Sequence, residues 1–177
     1  RKTVQGSVAP ANLKNMESTI RKRVVDILER LPVGETFDWV DRVSIELTTQ
    51  MLATLFDFPF EDRRLLTLWS DVATGSVETG VIERDEQRRQ ELYECLAYFQ
   101  RLWAEREANG EGNDLITMLA RGEATKDMEP QEFLGNLILL IVGGNDTTRN
   151  SITGGVLALN EHPGEYAKLR NDHTVVP

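Results

Sequence analysis

Between Phe133 and Leu159 the chain carries a stretch that is hydrophobic on every side and is then broken by residues a buried helix should avoid. Leu137-Ile138-Leu139-Leu140-Ile141-Val142 is the longest apolar run in the sequence. A helix built from it has no polar face to offer water and is expected to be buried all round. Gly143-Gly144-Asn145-Asp146-Thr147-Thr148 follows directly. A glycine inside a helix costs ~1 kcal/mol against alanine, and a buried carboxylate costs more unless it is partnered. Stability does not account for this stretch, and places where local rules fail are where function is expected. At ~1.5 Å per residue, a helix running from Pro130 to Asn160 would be ~45 Å long. The rest of the fold must be arranged around that rod.

The remaining periodicity is also helical. Ile20, Val24, Ile27, Leu28 and Leu31 mark one face of a helix that ends at Pro32 and Gly34. A second helix is expected after Asp38, running toward Phe58-Pro59, and a third from about Glu61 to Val77. A long charged helix from about Ile82 to Ala108 has the apolar stripe Leu92, Cys95, Leu96, Phe99, Leu102 and Trp103. A short amphipathic piece, Leu115 to Leu119, is capped by Asn113 or Asp114 and stopped at Gly122. A last short helix should open at His162-Pro163 and reach Arg170. Alternation with a period of two persists nowhere, so the fold class is all-α.

Charge and cysteine content narrow the function classes. With 29 acidic against 20 basic residues the net charge is −9, which opposes binding to a phosphate backbone. No apolar run approaches the ~18–20 residues of a membrane span. Cys95, the only cysteine, falls within an apolar helix stripe and reads as packed and inert. Both ends look cut: the chain opens on Arg-Lys-Thr and stops after Val175-Val176-Pro177, so a longer parent is expected.

The interrupted helix suggests its own chemistry. Adjacent Gly143 and Gly144 remove side chains and let a flat ligand lie on the helix. The Thr147 hydroxyl can bond the Gly143 carbonyl four residues back. Asp146, expected among apolar neighbours, could carry protons inward. The same residues also suit a close helix crossing in a non-enzymatic all-α ligand- or partner-binding module, with the Gly143-Gly144 pair used for packing. The residue types alone leave both readings open.

Gly143-Gly144-Asn145-Asp146-Thr147-Thr148 resembles the central-helix motif of the cytochrome P-450 family, small-Gly-x-acid-Thr-small-or-Thr. The continuation through Leu157-Ala158-Leu159, His162-Pro163 and Lys168-Leu169 is similar to the next helix of that fold. Phe56-Asp57-Phe58-Pro59, Glu61-Asp62 and Trp69-Ser70-Asp71 resemble its middle helices in order and spacing. The resemblance implies that residues 1–177 are a partial cytochrome P-450 domain: the helices up to and including the central one, plus the start of the next. It implies a haem-dependent monooxygenase, with Asp146 and Thr147 catalytic and Gly143 and Gly144 along the haem face. Arg1 would bind a haem propionate, and Leu139 and Val142 would face substrate. The cofactor implied is haem b, iron protoporphyrin IX, with electrons ultimately from NAD(P)H through a ferredoxin and ferredoxin reductase.

The wording from Ile141 to Ser151 is similar to the soluble bacterial branch that hydroxylates n-alkanes and medium-chain fatty acids at or near the terminus, which implies a small apolar substrate and a cytoplasmic enzyme. The family's thiolate loop, Phe-x-x-Gly-x-x-x-Cys, does not occur in these residues, and neither does the β-rich region. No metal ligand is therefore expected within the chain, and the fragment alone is expected to be inactive.

Overall fold

The computed structural model describes residues 3–5, 9–109 and 112–176. Among the described residues seven α-helices run in order: α1 (Pro10–Glu29), α2 (Glu46–Phe56), α3 (Arg64–Thr74), α4 (Asp85–Asn109), α5 (Leu115–Arg121), α6 (Pro130–Glu161) and α7 (Pro163–Asn171). No strand occurs among the described residues. The order of the helices follows the sequence pattern, and the differences lie at their ends and in the make-up of the second. α1 starts at Pro10, well before Ile20, and its polar first turns carry no apolar stripe by which the sequence could mark them. Proline needs no hydrogen-bond partner in a first turn, and it also opens α6 and α7.

The expected second helix is two structures in series. Val40–Ile45 is a π-helix that runs without a break into α2. α2 stops at Asp57, whose φ of 47° is left-handed, a conformation that aspartate tolerates better than most residues. The turn closes through the Phe58 N–H, which donates to the Ala53 carbonyl at 2.8 Å. A short 3-10 turn, Phe60–Asp62, then leads into α3. Asp114 caps α5, accepting from the Ile116 and Thr117 N–H groups.

One hydrophobic core joins α2 to α6. Leu52 and Phe56 from α2, Leu66 and Trp69 from α3, Cys95 and Phe99 from α4, and Ile116 from α5 enclose Phe133, Leu137 and Ile141 of α6. Aromatic rings tie the middle together, Phe56 on Phe99 at 5.4 Å and Phe58 stacked on Tyr98 at 4.8 Å. α7 carries no buried residue.

α6 departs from the expectation of burial on every side. Phe133, Leu137, Ile141 and Asn145, spaced by four, are buried, yet Leu139 is 71% exposed. α2, α3, the π-helix and α4 pack on α6 and leave Leu139 uncovered, so the apolar run presents a second face outward.

Candidate active site on the central helix

The two glycines occupy different surroundings. A side chain at Gly144 would begin 2.6 Å from Leu52 Cδ2, so Gly144 packs directly against α2. Leu52 is itself buried and has little room to yield. A side chain at Gly143 would meet nothing within 4 Å. Gly143 therefore lies on the outward face, with Leu139 and Thr147, and Gly144 belongs to the packed interior. The two glycines differ because consecutive residues on a helix point ~100° apart, which turns Gly144 toward Leu52 and Gly143 outward.

Thr147 is exposed, and its hydroxyl donates to the Gly143 carbonyl at 2.8 Å, the back-bond that the four-residue spacing suggests. With its proton committed to the backbone, Oγ1 keeps its lone pairs for a donor arriving from the open side. Ser151 repeats the arrangement one turn on, donating to the Thr147 carbonyl at 2.8 Å.

Asp146 is not surrounded by apolar groups. Its Oδ1 accepts from Ser70 Oγ at 3.0 Å and from the Arg149 guanidinium at 3.0 Å, with the Asn145 amide at 3.5 Å. Arg149 also meets Asp71 Oδ1 at 2.9 Å, and its side chain is 16% exposed. Ser70 and Asp71 come from α3, so the expected apolar setting is replaced by a polar seam between two helices. Of the residues expected to face substrate, Leu139 stands outward and Val142 is half-buried. Leu140, beside Leu139, packs against the core. Arg1 lies outside the described residues.

Asn145 is the residue that the sequence pattern did not single out. It is fully buried, and Thr48 Oγ1 donates to its Oδ1 at 2.9 Å. Farther along the same interface Ser44 and Thr153 share a hydrogen bond of 2.9 Å. The only hint in the sequence is an amide placed four residues after Ile141, in line with the apolar stripe. Cys95 is buried, and burial pushes its thiol up from 9.0 to about 12, so it is neither nucleophile nor ligand. Among the described residues no group of three His, Cys, Asp or Glu side chains could hold a metal ion, and no helix is long and apolar enough to cross a membrane.

No protein-family model matches the chain. Linalool 8-monooxygenase of Pseudomonas putida is 33% identical over 171 residues, which cover 96% of this chain and 42% of that protein. Steroid C26-monooxygenase of Mycobacterium tuberculosis is 30% identical over 174 residues, 96% of this chain and 40% of the relative. Cytochrome P450-153 of Novosphingobium aromaticivorans superposes with a TM-score of 0.88 at 48% identity, covering 99% of this chain and 42% of that one. By sequence and by fold, the chain is homologous to the cytochrome P450s. CYP153D17 from Sphingomonas sp. PAMC 26605 is similar in the same way, with a TM-score of 0.84 and 45% identity over 98% of this chain. The chain spans well under half the length of these P450s, and what it matches is the helical part of the fold.

Proposed function

We propose that residues 1–177 are the helical part of a longer P450 domain whose holoenzyme inserts one oxygen atom of dioxygen into a C–H bond of a small apolar substrate. The observation that carries this reading is the outward face of α6, where Thr147 donates to the Gly143 carbonyl and Asp146 stands beside it on the polar seam. The residues present fit one face of a flat macrocycle: Gly143 adds no bulk, and Leu139 and Thr147 flank it outward. Cys95 is buried and holds its proton, so it would not serve as a thiolate ligand to the iron of such a group. When bound, iron protoporphyrin IX would supply the activation of dioxygen.

The chain's own residues supply position and protons. Each turnover consumes dioxygen, two electrons and two protons, and yields the hydroxylated substrate and one water. Thr147 Oγ1, its hydrogen fixed on the backbone, accepts from a water or substrate donor on the open face. Asp146 holds and releases a proton at its carboxylate, which Ser70 and Arg149 keep in one place. Leu139, with half-buried Val142, presents hydrocarbon to hydrocarbon. That surface, together with the 48% identity to cytochrome P450-153, supports terminal hydroxylation of n-alkanes or medium-chain fatty acids. Electrons would come from NAD(P)H by way of a ferredoxin and its reductase, in the cytoplasm.

The full-length protein tests this directly. Its carbon-monoxide difference spectrum should carry the signature of thiolate-ligated haem, and it should hydroxylate n-octane or decanoic acid when given a ferredoxin system. Thr147→Ala should leave substrate binding in place and lower product formed per NAD(P)H consumed on the order of tenfold or more. Unchanged coupling would remove Thr147 from proton delivery.

A further inference from the structure

One polar group near the site serves two carboxylates at once. The Arg149 guanidinium lies between Asp146 Oδ1 at 3.0 Å, on its own helix, and Asp71 Oδ1 at 2.9 Å, on α3. Its side chain is 16% exposed, against 20% for Asp146 and 36% for Asp71, so the cluster is shielded most at the cation. An arginine fork suits this geometry, since its two terminal nitrogens can each take a separate carboxylate. Asp146 and Arg149 are one turn apart, so their contact needs only α6. The contact with Asp71 requires α3 to sit where it does. Ser70, next to Asp71, donates to the same Asp146 oxygen at 3.0 Å.

We propose that Arg149 is a positioning residue for Asp146, and that Asp71 acts on the site only through Arg149. Two neighbouring carboxylates without a shared cation would repel and turn away from each other. With Arg149 between them both are held, and the Asp146 carboxylate is fixed relative to Thr147. The proposal rests on the proton-delivery role of Asp146 given above, and its test separates the two.

In the full-length holoenzyme, Arg149→Gln, Arg149→Lys, Asp71→Asn, Asp146→Asn and the double variant Asp71→Asn with Arg149→Gln are compared, each checked for haem content. Coupling of NAD(P)H to product and the solvent deuterium isotope effect on turnover are the functional readouts. Arg149→Gln should lower coupling severalfold and enlarge the isotope effect, and Arg149→Lys should restore part of both. Asp71→Asn should move both in the same direction by less, and should add nothing in the Arg149→Gln background. A double-mutant cycle on unfolding midpoints reads the Asp71–Arg149 pair without turnover, and the two changes should be clearly non-additive. Additive effects on coupling or on the midpoint overturn the link through Arg149. If Asp146→Asn is impaired while Arg149→Gln keeps normal coupling and isotope effect, this inference fails and the proposed function stands. If Asp146→Asn itself is fully coupled, the acid's role fails and takes this inference with it.

Discussion

Two faces of α6 are both apolar in sequence and differ in what they meet. Phe133, Leu137, Ile141 and Asn145 are pressed into the core, while Leu139, Gly143 and Thr147 look away from it. Adjacent glycines fall on opposite sides of this divide, Gly144 against Leu52 and Gly143 against nothing. The difference teaches that hydrophobicity alone does not name the partner. One stripe is matched to side chains of this chain, and the other is available to a flat cofactor and a hydrocarbon substrate in the proposed holoenzyme.

The strongest way to break the comparison is at the two leucines. Leu137→Ala should cost about 2–5 kcal/mol of stability, because it empties a fully buried site. Leu139→Ala should stay within about 0.5 kcal/mol in the substrate-free protein, as befits an outward position, while weakening apparent affinity for an alkyl substrate. Denaturant unfolding of both variants decides the matter, and equal losses would erase the distinction between the faces.

The glycines give a smaller contrast. Gly144→Ala should destabilise by about 1–3 kcal/mol, since the new methyl must displace Leu52. Gly143→Ala should lose no stability and can gain up to ~1 kcal/mol from helix propensity, with its effect appearing instead in haem or substrate binding. A Gly144→Ala variant as stable as its parent would place the crossing of α2 and α6 elsewhere.

The mildest probe is Cys95, which shares the core with Leu137 and Ile141. In the folded protein it should resist a thiol reagent at pH 8 and react on unfolding. Its thiol ionises near 9.0 when unfolded and only at about 12 when folded. The unfolded state therefore binds fewer protons between those values, and the contribution of Cys95 to stability is whole below pH 9.0 and lost as pH rises toward 12. Fast labelling at pH 8 would mean that the buried face opens.

What could be read from sequence divides along the same line. Helix order was legible because apolar spacing and Pro or Gly punctuation are local signals. The Thr147 back-bond was legible for the same reason, as it closes within one turn of α6. The setting of Asp146 was not, because Ser70 lies 76 residues away in the chain. Asn145 was hidden in the same way, its partner Thr48 being 97 residues distant. Arg149 stood three residues from Asp146 and could have been read as its local partner; its second carboxylate could not. Nor could a run such as Leu137 to Val142 say which of its sides the chain itself would cover.

The burial of Asn145 bears on how such a protein can be produced. Asn145-Asp146-Thr147 spells the acceptor triplet for N-linked glycan transfer, and its amide is the group hydrogen-bonded to Thr48 inside the α2–α6 contact. A glycan attached there during secretion would occupy the space that α2 must fill. A secretory host would thus convert a folding contact into a folding block, and production belongs in a compartment where that triplet is never read.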